Sequence, residues 1–147
     1  LNNVEWSLEG KIIDSKAVIV RDLEVKKILF SKKNLRSIVY NLVSNAIKFR
    51  REESPIIRIQ TKLEGKNVVL IVQDNGAGIA EESLNKIFDL YGRLNQKVEG
   101  TGIGLYLAKK IVNASGGSMM VESTVGYGSK FTISFVDEKQ IDEVLTS

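Results

Sequence analysis

The chain has 147 residues, 43% of them apolar, and its 21 basic and 18 acidic side chains give a net charge of +3. This size and apolar content predict one globular domain with its own core, and charges spread along the whole chain argue against a nucleic-acid-binding surface. The lack of cysteine excludes disulfides and thiolate metal sites, and the lack of histidine removes the commonest zinc ligand and general base, so any metal would be held by oxygen.

No apolar run is long enough to span a bilayer, and the amino terminus lacks the basic-then-apolar pattern of a secretory signal. We therefore expect a cytoplasmic chain without membrane contact of its own. The chain opens at "LNNVEWSL" without an initial methionine, and we expect it to be a piece of a longer protein, which is itself either soluble or membrane-bound.

The first elements in chain order follow from apolar spacing. Val4, Leu8 and Ile12 predict a leading helix within residues 1–14, and "AVIV" and "KKILF" predict two short strands. Ser31 is a plausible cap for the strongest predicted helix. The apolar face of that helix is formed by Leu35, Ile38, Val39, Leu42, Val43, Ala46 and Ile47.

Two hairpins and two further helices complete the prediction. "PIIRIQTKL" and "NVVLIVQD" flank the turn "EGKN", and the second arm, apolar on both faces, is predicted to be a central strand. A glycine loop, a helix around "EESLNKIFDLY", a polar loop and the helix "IGLYLAKKIVNA" follow. "SMMVESTV" and "SKFTISFV" predict a closing hairpin, and residues 137–147 a terminal helix or tail. Together these elements predict a mixed sheet covered by helices.

Polar side chains interrupt the strongest helix on one narrow stripe. Asn41, Asn45 and Lys48 recur at four- and three-residue spacing, which places them on the same side beside the apolar face. The stripe is either the solvent edge of an amphipathic helix or a site. Amide oxygens suit Mg²⁺, which binds few protein groups plus substrate phosphates, and a lysine one turn on would meet those phosphates.

Glycine loops supply possible partners for that stripe. Asp74 ends the predicted central strand, where a carboxylate requires a donor such as an adenine amino group, and Gly76 and Gly78 let backbone approach closely. The glycines of "EGTGIGL" open a helix, where free amides favour phosphate. Each loop alone is equally compatible with a simple turn. The chain has no G-x-x-x-x-G-K-[ST] motif, and "GTGIGL" lacks the third-glycine spacing of G-x-G-x-x-G.

In order, these stretches resemble the GHKL superfamily of ATP-binding domains, most closely the catalytic ATP-binding domain of sensor histidine kinases. "NLVSNAIKFR" is similar to the N box, "DNGAGI" to the G1 box, "IFDLYGR" to the F box, "GTGIGL" to the G2 box and "GYGSKF" to the G3 region. The resemblance covers Asn41 to Phe131. It implies an α/β two-layer sandwich of the Bergerat type, a mixed, mainly antiparallel sheet of about five strands on three helices, with a lid over residues 94–99.

The same resemblance implies roles for individual residues. Asn45 would be the main Mg²⁺ ligand with Asn41 beside it, and Lys48 and Arg93 would contact the phosphates of ATP. Asp74 would accept a hydrogen bond from the adenine amino group. The other implied nucleotide-binding positions are Phe49, Gly76, Gly78, Ile79, Gly100, Thr101, Gly102, Gly104, Leu105 and Ser129.

The resemblance also implies partners. The family's acceptor histidine lies in a preceding dimerisation domain, and this chain has no histidine, so we expect the acceptor in the parent protein, with Trp6 near the junction and a response-regulator receiver domain downstream. Position 41 carries an amide where the superfamily's ATPases place a glutamate, and an amide cannot take a proton from water. The leading hypothesis is therefore phosphoryl transfer to histidine. The alternatives are a GHKL ATPase or anti-sigma-type serine kinase, and a domain that senses nucleotide without transferring phosphate.

Overall fold

The computed structural model describes residues 1–25, 30–89 and 104–135. Its helices and strands in chain order are α1 (Asn2–Ser7), α2 (Glu9–Ser15), β1 (Val18–Leu23), α3 (Lys32–Lys48), β2 (Ile56–Glu64), β3 (Asn67–Asp74), a 3₁₀ turn (Glu81–Ser83), α4 (Gly104–Ala114), β4 (Ser118–Thr124) and β5 (Gly128–Phe135).

The five strands form one mixed sheet in the order β1-β2-β3-β5-β4. Only the β1–β2 pair is parallel, and the other three pairs are antiparallel. The middle strand is β3, and its burial on both faces explains the nearly continuous apolar run "VVLIV". The predicted mixed, mainly antiparallel sheet, its central strand and both hairpins are confirmed.

Helix α3 is the main element packed on the sheet. Ser31 precedes it, and the Ser31 hydroxyl accepts a hydrogen bond from the Asn34 amide at 3.3 Å, as expected of a helix cap. Its apolar residues join one core cluster with the inward-facing residues of the central strands. Ile38 and Leu42 of α3 and Val72 of β3 are each at most 1% exposed. Burial of this face, rather than helix propensity alone, stabilises α3.

The single leading helix predicted for residues 1–14 is wrong. Two short helices meet at Leu8, whose φ of −102° and ψ of 7° break the helical path, and Lys16 at φ 57° ends the second. Ser7 and Gly10 are weaker helix formers than alanine or leucine, so a bend there costs little. The bend leaves Val4 and Leu8 buried, at 3% and 1% exposure. The described chain consequently begins with two short helices before β1.

The α-helix predicted around residues 81–91 is also wrong over its described part, which ends at Asp89. A 3₁₀ turn is followed by further three-residue turns, with the Lys86 amide bonded to the Ser83 carbonyl at 2.9 Å and the Asp89 amide to that of Lys86 at 3.1 Å. Leu84 and Ile87 lie three residues apart and both pack at the core, which the tighter turn permits.

Some predictions fall outside the described residues. These are most of the strand "KKILF" (26–29), the end of the F box with Arg93, the lid at 94–99, the glycine-box residues Gly100, Thr101 and Gly102, and the tail at 137–147. Within the described part of the chain, every helix is too short or too polar to reach across a lipid bilayer.

Candidate functional site

The Asp74 carboxylate lies at the carboxyl end of the central strand and is held from one side. Its Oδ1 accepts hydrogen bonds from the Gly76 amide at 2.8 Å and the Ser129 amide at 3.3 Å. Burial raises the pKa of Asp74 above its ordinary value of 3.8, and these two backbone bonds partly oppose the rise. Among the described residues, no donor contacts Oδ2 within hydrogen-bond distance. Within residues 1–25, 30–89 and 104–135, Oδ2 therefore remains available to accept a hydrogen bond from a ligand.

The carboxyl end of α3 contacts the loop that follows Asp74. The Phe49 carbonyl accepts a hydrogen bond from the Ala77 amide at 2.9 Å, and a Cβ at Gly76 would lie only 2.8 Å from the same carbonyl oxygen. Asn45 lies one helical turn before Phe49 and is half-buried. This contact brings the amide stripe of α3 and the loop after β3 into one neighbourhood.

The start of α4 meets the same stripe one turn earlier. A Cβ at Gly104 would stand 3.1 Å from the Asn41 Oδ1, so the glycine allows the first turn of α4 to lie directly against that amide. The first amides of a helix have no intrahelical partner and, with the helix dipole, favour an anion. The geometry thus places a neutral amide oxygen beside the first described turn of α4, where backbone amides favour an anion.

The loop after β3 is also docked on the β4–β5 turn. Gly78 has φ 76°, which favours glycine, and a Cβ there would collide with the Thr124 carbonyl. The Gly126 amide donates to the Ala77 carbonyl at 2.8 Å, and the Ile79 amide donates to the Ser123 hydroxyl at 2.7 Å. The carboxylate, the glycine loop and the closing hairpin therefore form one hydrogen-bonded unit.

A family model described as "Histidine kinase-, DNA gyrase B-, and HSP90-like ATPase" matches residues 31–140, most of the chain. The chain belongs to this family.

Among curated relatives of this ATPase-family chain, a circadian input-output histidine kinase, CikA of Synechococcus elongatus, is 36% identical over 116 residues. That match covers 76% of this chain and 15% of the relative. The aerobic respiration control sensor protein ArcB of Escherichia coli is 35% identical over 115 residues, covering 75% of this chain and 15% of ArcB. The chain therefore spans about one seventh of these relatives and corresponds to the catalytic ATP-binding domain of sensor histidine kinases.

Solved structures show the same fold. The catalytic domain of the histidine kinase ThkA superposes with a TM-score of 0.79 at 24% identity, covering 92% of this chain and 89% of that one. Full-length ShkA in complex with AMPPNP gives a TM-score of 0.78 at 24% identity, covering 91% of this chain and 28% of that one. At this identity the likeness concerns the fold, and it agrees with the predicted two-layer sandwich.

Within this ATPase-family domain, Lys48 is the cation placed at the end of the amide stripe. Burial of its ammonium group lowers the pKa of Lys48 below its usual 10.5, and the nearby charge of Lys11 lowers it further. Both causes disfavour the charged form in the free protein. An anion bound beside Lys48 would favour the charged form.

The predicted site residues divide into two groups in the structure. Contacts link Asn41 with Gly104 and, separately, Phe49 with Gly76 and Asp74. Ile79 and Leu105 instead pack with the core, Ile79 at 7% exposure and Leu105 at the edge of the cluster. Ser129 is buried, and its hydroxyl lies 2.8 Å from that of Ser123. Ile79 and Leu105 therefore belong to the core next to this group of residues, and Ser129 joins the group through its amide bond to Asp74.

Two residues that the sequence analysis did not single out, Arg51 and Ser123, join the loop after β3 to the β4–β5 turn. Arg51 donates from Nε to the Asn75 carbonyl at 2.8 Å and from Nη1 to the Gly126 carbonyl at 2.7 Å, bridging the loop after β3 and the β4–β5 turn. Ser123 joins the glycine loop to the hairpin. The sequence holds one signal for Ser123. In a hairpin that turns around "GYG", Ser123 lies opposite Ser129, a residue already predicted to be part of the site.

Proposed function

We propose that this domain binds Mg-ATP and transfers its γ-phosphoryl group to a histidine on a separate dimerisation domain. The observation that carries the proposal is the contact of Asn41 with the first turn of α4, together with the Asp74 carboxylate, whose Oδ2 has no donor among the described residues. An amide oxygen and helix amides suit metal-bound phosphates, and a free carboxylate oxygen suits the amino group of adenine.

The donor set fits magnesium better than a transition metal. No cluster of three or more His, Cys, Asp or Glu side chains able to hold a metal occurs within residues 1–25, 30–89 and 104–135. We assign Asn45 as the main Mg²⁺ ligand and Asn41 as its neighbour, with phosphate oxygens completing the shell. The metal would neutralise charge on the triphosphate.

At the phosphate end, Lys48 and Arg93 would contact the phosphates, and Gly100, Thr101, Gly102 and Gly104 would line them before and within the first turn of α4. At the base end, Asp74 would accept from the adenine amino group, with Phe49, Gly76, Gly78, Ile79, Leu105 and Ser129 shaping the pocket. Such an arrangement positions the triphosphate and stabilises its charge, which is most of what phosphoryl transfer requires from a protein.

The partners follow from the relatives and from the composition. The similar proteins are named as sensor kinases and a sensor protein of respiration control, and they are much longer than this chain. This chain has no histidine of its own. We therefore assign the acceptor histidine to a dimerisation domain of the parent protein, a receiver domain of a response regulator as the next acceptor, and the cytoplasm as the compartment. We assign no nucleic-acid partner.

The ATPase alternative differs from the proposed kinase at position 41. A GHKL ATPase needs a carboxylate near the phosphates to activate water, and the residue against the start of α4 is an asparagine. A serine kinase of the anti-sigma type would share this pocket and differ only in its protein partner. The histidine kinase and the serine kinase share the nucleotide pocket, and the residue that accepts the phosphoryl group distinguishes them.

The substitution Asn45→Ala tests the metal assignment. We expect it to weaken Mg-dependent ADP binding about tenfold or more, because losing a metal ligand removes more than one net hydrogen bond, while binding in EDTA stays unchanged. Titration calorimetry with and without Mg²⁺ measures both affinities. Asn34→Ala, the same change at a half-buried position near the start of the same helix, serves as the control. Equal affinities for Asn45→Ala and the wild-type chain in Mg²⁺ would refute the assignment.

A further inference from the structure

The Ser123 hydroxyl lies at the meeting point of three polar groups beneath the proposed base pocket. It is 2.7 Å from the Ile79 amide nitrogen, 2.9 Å from the Gly128 carbonyl oxygen and 2.8 Å from the Ser129 hydroxyl oxygen. Ser123 and Ser129 are directly paired across β4 and β5. The Ser129 amide in turn donates to the Asp74 Oδ1. Ser123 therefore connects the glycine loop with the residue next to the carboxylate.

Counting protons fixes the direction of each bond. A serine hydroxyl has one proton to donate and two lone pairs to accept. The Ile79 amide can only donate, so it takes one lone pair of Ser123, and the Gly128 carbonyl can only accept, so it takes the Ser123 proton. The remaining contact must then run from the Ser129 hydroxyl to the second lone pair of Ser123. With all three bonds made, the Ser129 oxygen keeps only lone pairs for any other partner.

This direction determines what the pocket offers to a base. Because the Ser129 amide donates to Asp74 Oδ1, Ser129 belongs to the same group as the carboxylate, and Asp74 Oδ2 and Ser129 Oγ then both offer acceptors there. Two acceptors attract an amino group and repel a keto oxygen. Purines with an amino group at C6, such as adenine, fit this pair, whereas those with a keto oxygen at C6, such as hypoxanthine, place lone pairs against lone pairs.

We propose that Ser123 is a positioning residue that fixes the Ser129 hydroxyl as an acceptor and so enforces selection of 6-amino over 6-keto purine nucleotides. The proposal rests on the proposed nucleotide binding. Ser123 acts through Ser129 and contacts no ligand itself.

The substitution Ser123→Ala tests the proposal. It removes the acceptor to which the Ser129 proton is directed, so that proton becomes free to turn toward a keto oxygen. We expect the ratio of ITP to ATP dissociation constants to fall about fivefold, the scale of one net hydrogen bond. Binding of magnesium tripolyphosphate, which reports on the phosphate end alone, should be unchanged. Competition titrations against a fluorescent nucleotide measure all three ligands.

A purely structural role gives a different result. If Ser123 only anchored the Ile79 amide, Ser123→Ala would weaken ATP and ITP by the same factor and leave their ratio at the wild-type value, which would overturn the proposal. Ser123→Thr retains the hydroxyl and should restore the ratio. Ser118→Ala, an exposed serine on the same strand, is the matched control and should not change it.

A second variant keeps the test decisive if Ser123→Ala does not fold. Ser129→Ala removes the fixed acceptor itself and should lower the same ratio, and an unchanged ratio would overturn the proposal. A wild-type chain that binds ATP and ITP equally would overturn it while leaving nucleotide binding intact. A wild-type chain that binds neither nucleotide would overturn the proposed function as well.

Discussion

Asp74 combines two requirements that oppose each other. In its proposed role the carboxylate must remain ionised to accept from a base, yet its burial raises its pKa above the ordinary 3.8. Because the folded state favours the protonated form, the stability that Asp74 contributes is complete below pH 3.8 and is lost as the pH rises through the folded pKa. At neutral pH the free protein therefore retains a cost of charge burial that a bound amino group would offset.

The substitution Asp74→Asn separates these two effects. We expect the free energy of unfolding at pH 7 to increase relative to wild type, because the amide stays neutral, and the difference to shrink toward pH 3. The preference for adenine over guanine nucleotides should fall, since the amide can turn a donor toward the ligand. Urea unfolding across this pH range and competition titrations measure the two effects. A loss of stability at pH 7 together with an unchanged base preference would contradict both.

At the residue scale, the sequence predicts where polar side chains lie on their helix or strand better than it predicts which hydrogen bonds they make. The spacing of Asn41 and Asn45 on one helix and the position of Asp74 at a strand end follow from periodicity alone. The Gly76 bond to Asp74 Oδ1 is local, but the Ser129 bond depends on the pairing of β3 with β5. Because these two strands are far apart in sequence, no local pattern contains their register, whereas the β4–β5 register that pairs Ser123 with Ser129 follows from the hairpin turn.

Among the elements, the β4–β5 turn has a second role that its sequence does not indicate. The glycines of "GYG" indicate a hairpin turn, but the turn is also a docking surface for the loop after β3 through Gly126 and Ala77. Arg51 bridges the two from the segment after α3. Three segments distant in sequence therefore fix the shape of the base pocket.

The substitution Arg51→Ala should loosen this junction. It removes two hydrogen bonds from a charged group to carbonyls in a partly exposed setting, and we expect a loss of about 1–2 kcal/mol in the free energy of unfolding. Arg58→Ala changes the same residue type at an exposed strand position and should fall within about 0.5 kcal/mol of wild type. Chemical denaturation followed by circular dichroism compares the two. Equal stability of both variants would show that the bridge contributes nothing.

Element types were hardest to predict where apolar spacing fits two geometries. Leu84, Ile87 and Phe88 suit an α-helical face, but Leu84 and Ile87 alone also suit a three-residue turn, which the structure adopts. Phe88 then packs edge-on against Phe131, with ring centroids 6.3 Å apart, and Lys109 lies 4.5 Å above its ring. These tertiary contacts decide the local form, and they are invisible in a window of eleven residues.

For the molecule as a whole, the strand order cannot be predicted from local sequence patterns. Periodicity predicts the strands, but the parallel pairing of β1 with β2 and the insertion of β5 between β3 and β4 follow from long-range packing. The family resemblance supplied the architecture, and the fold confirms it. The mixed sheet positions Asp74 at one end of its central strand, beside α3 and the start of α4.

The arrangement of the whole site predicts slow ATP hydrolysis. The side chain against the start of α4 is an amide, and the chain has no histidine to act as a base or acceptor. We expect ATP turnover by the isolated chain on the order of 10⁻³ s⁻¹ or slower, the scale of a phosphate site without an activated water. A coupled phosphate-release assay measures the rate. Turnover many times per minute would favour an ATPase over a kinase, and Asn41→Ala serves to show that any residual rate arises in this pocket.

The two hairpin turns of the sheet differ as places to attach a label. The turn at Gly65 and Lys66 is exposed and lies at the far end of β3 from Asp74, about 26 Å from Lys66 to Asp74 at 3.3 Å per residue. The other turn, at Tyr127, is held by Arg51 and the glycine loop next to the carboxylate. A label on Lys66 would therefore not respond to ligand binding, so this position suits attachment of the protein to a sensor surface. A chromophore on Tyr127 would change its emission when a ligand binds beside Asp74.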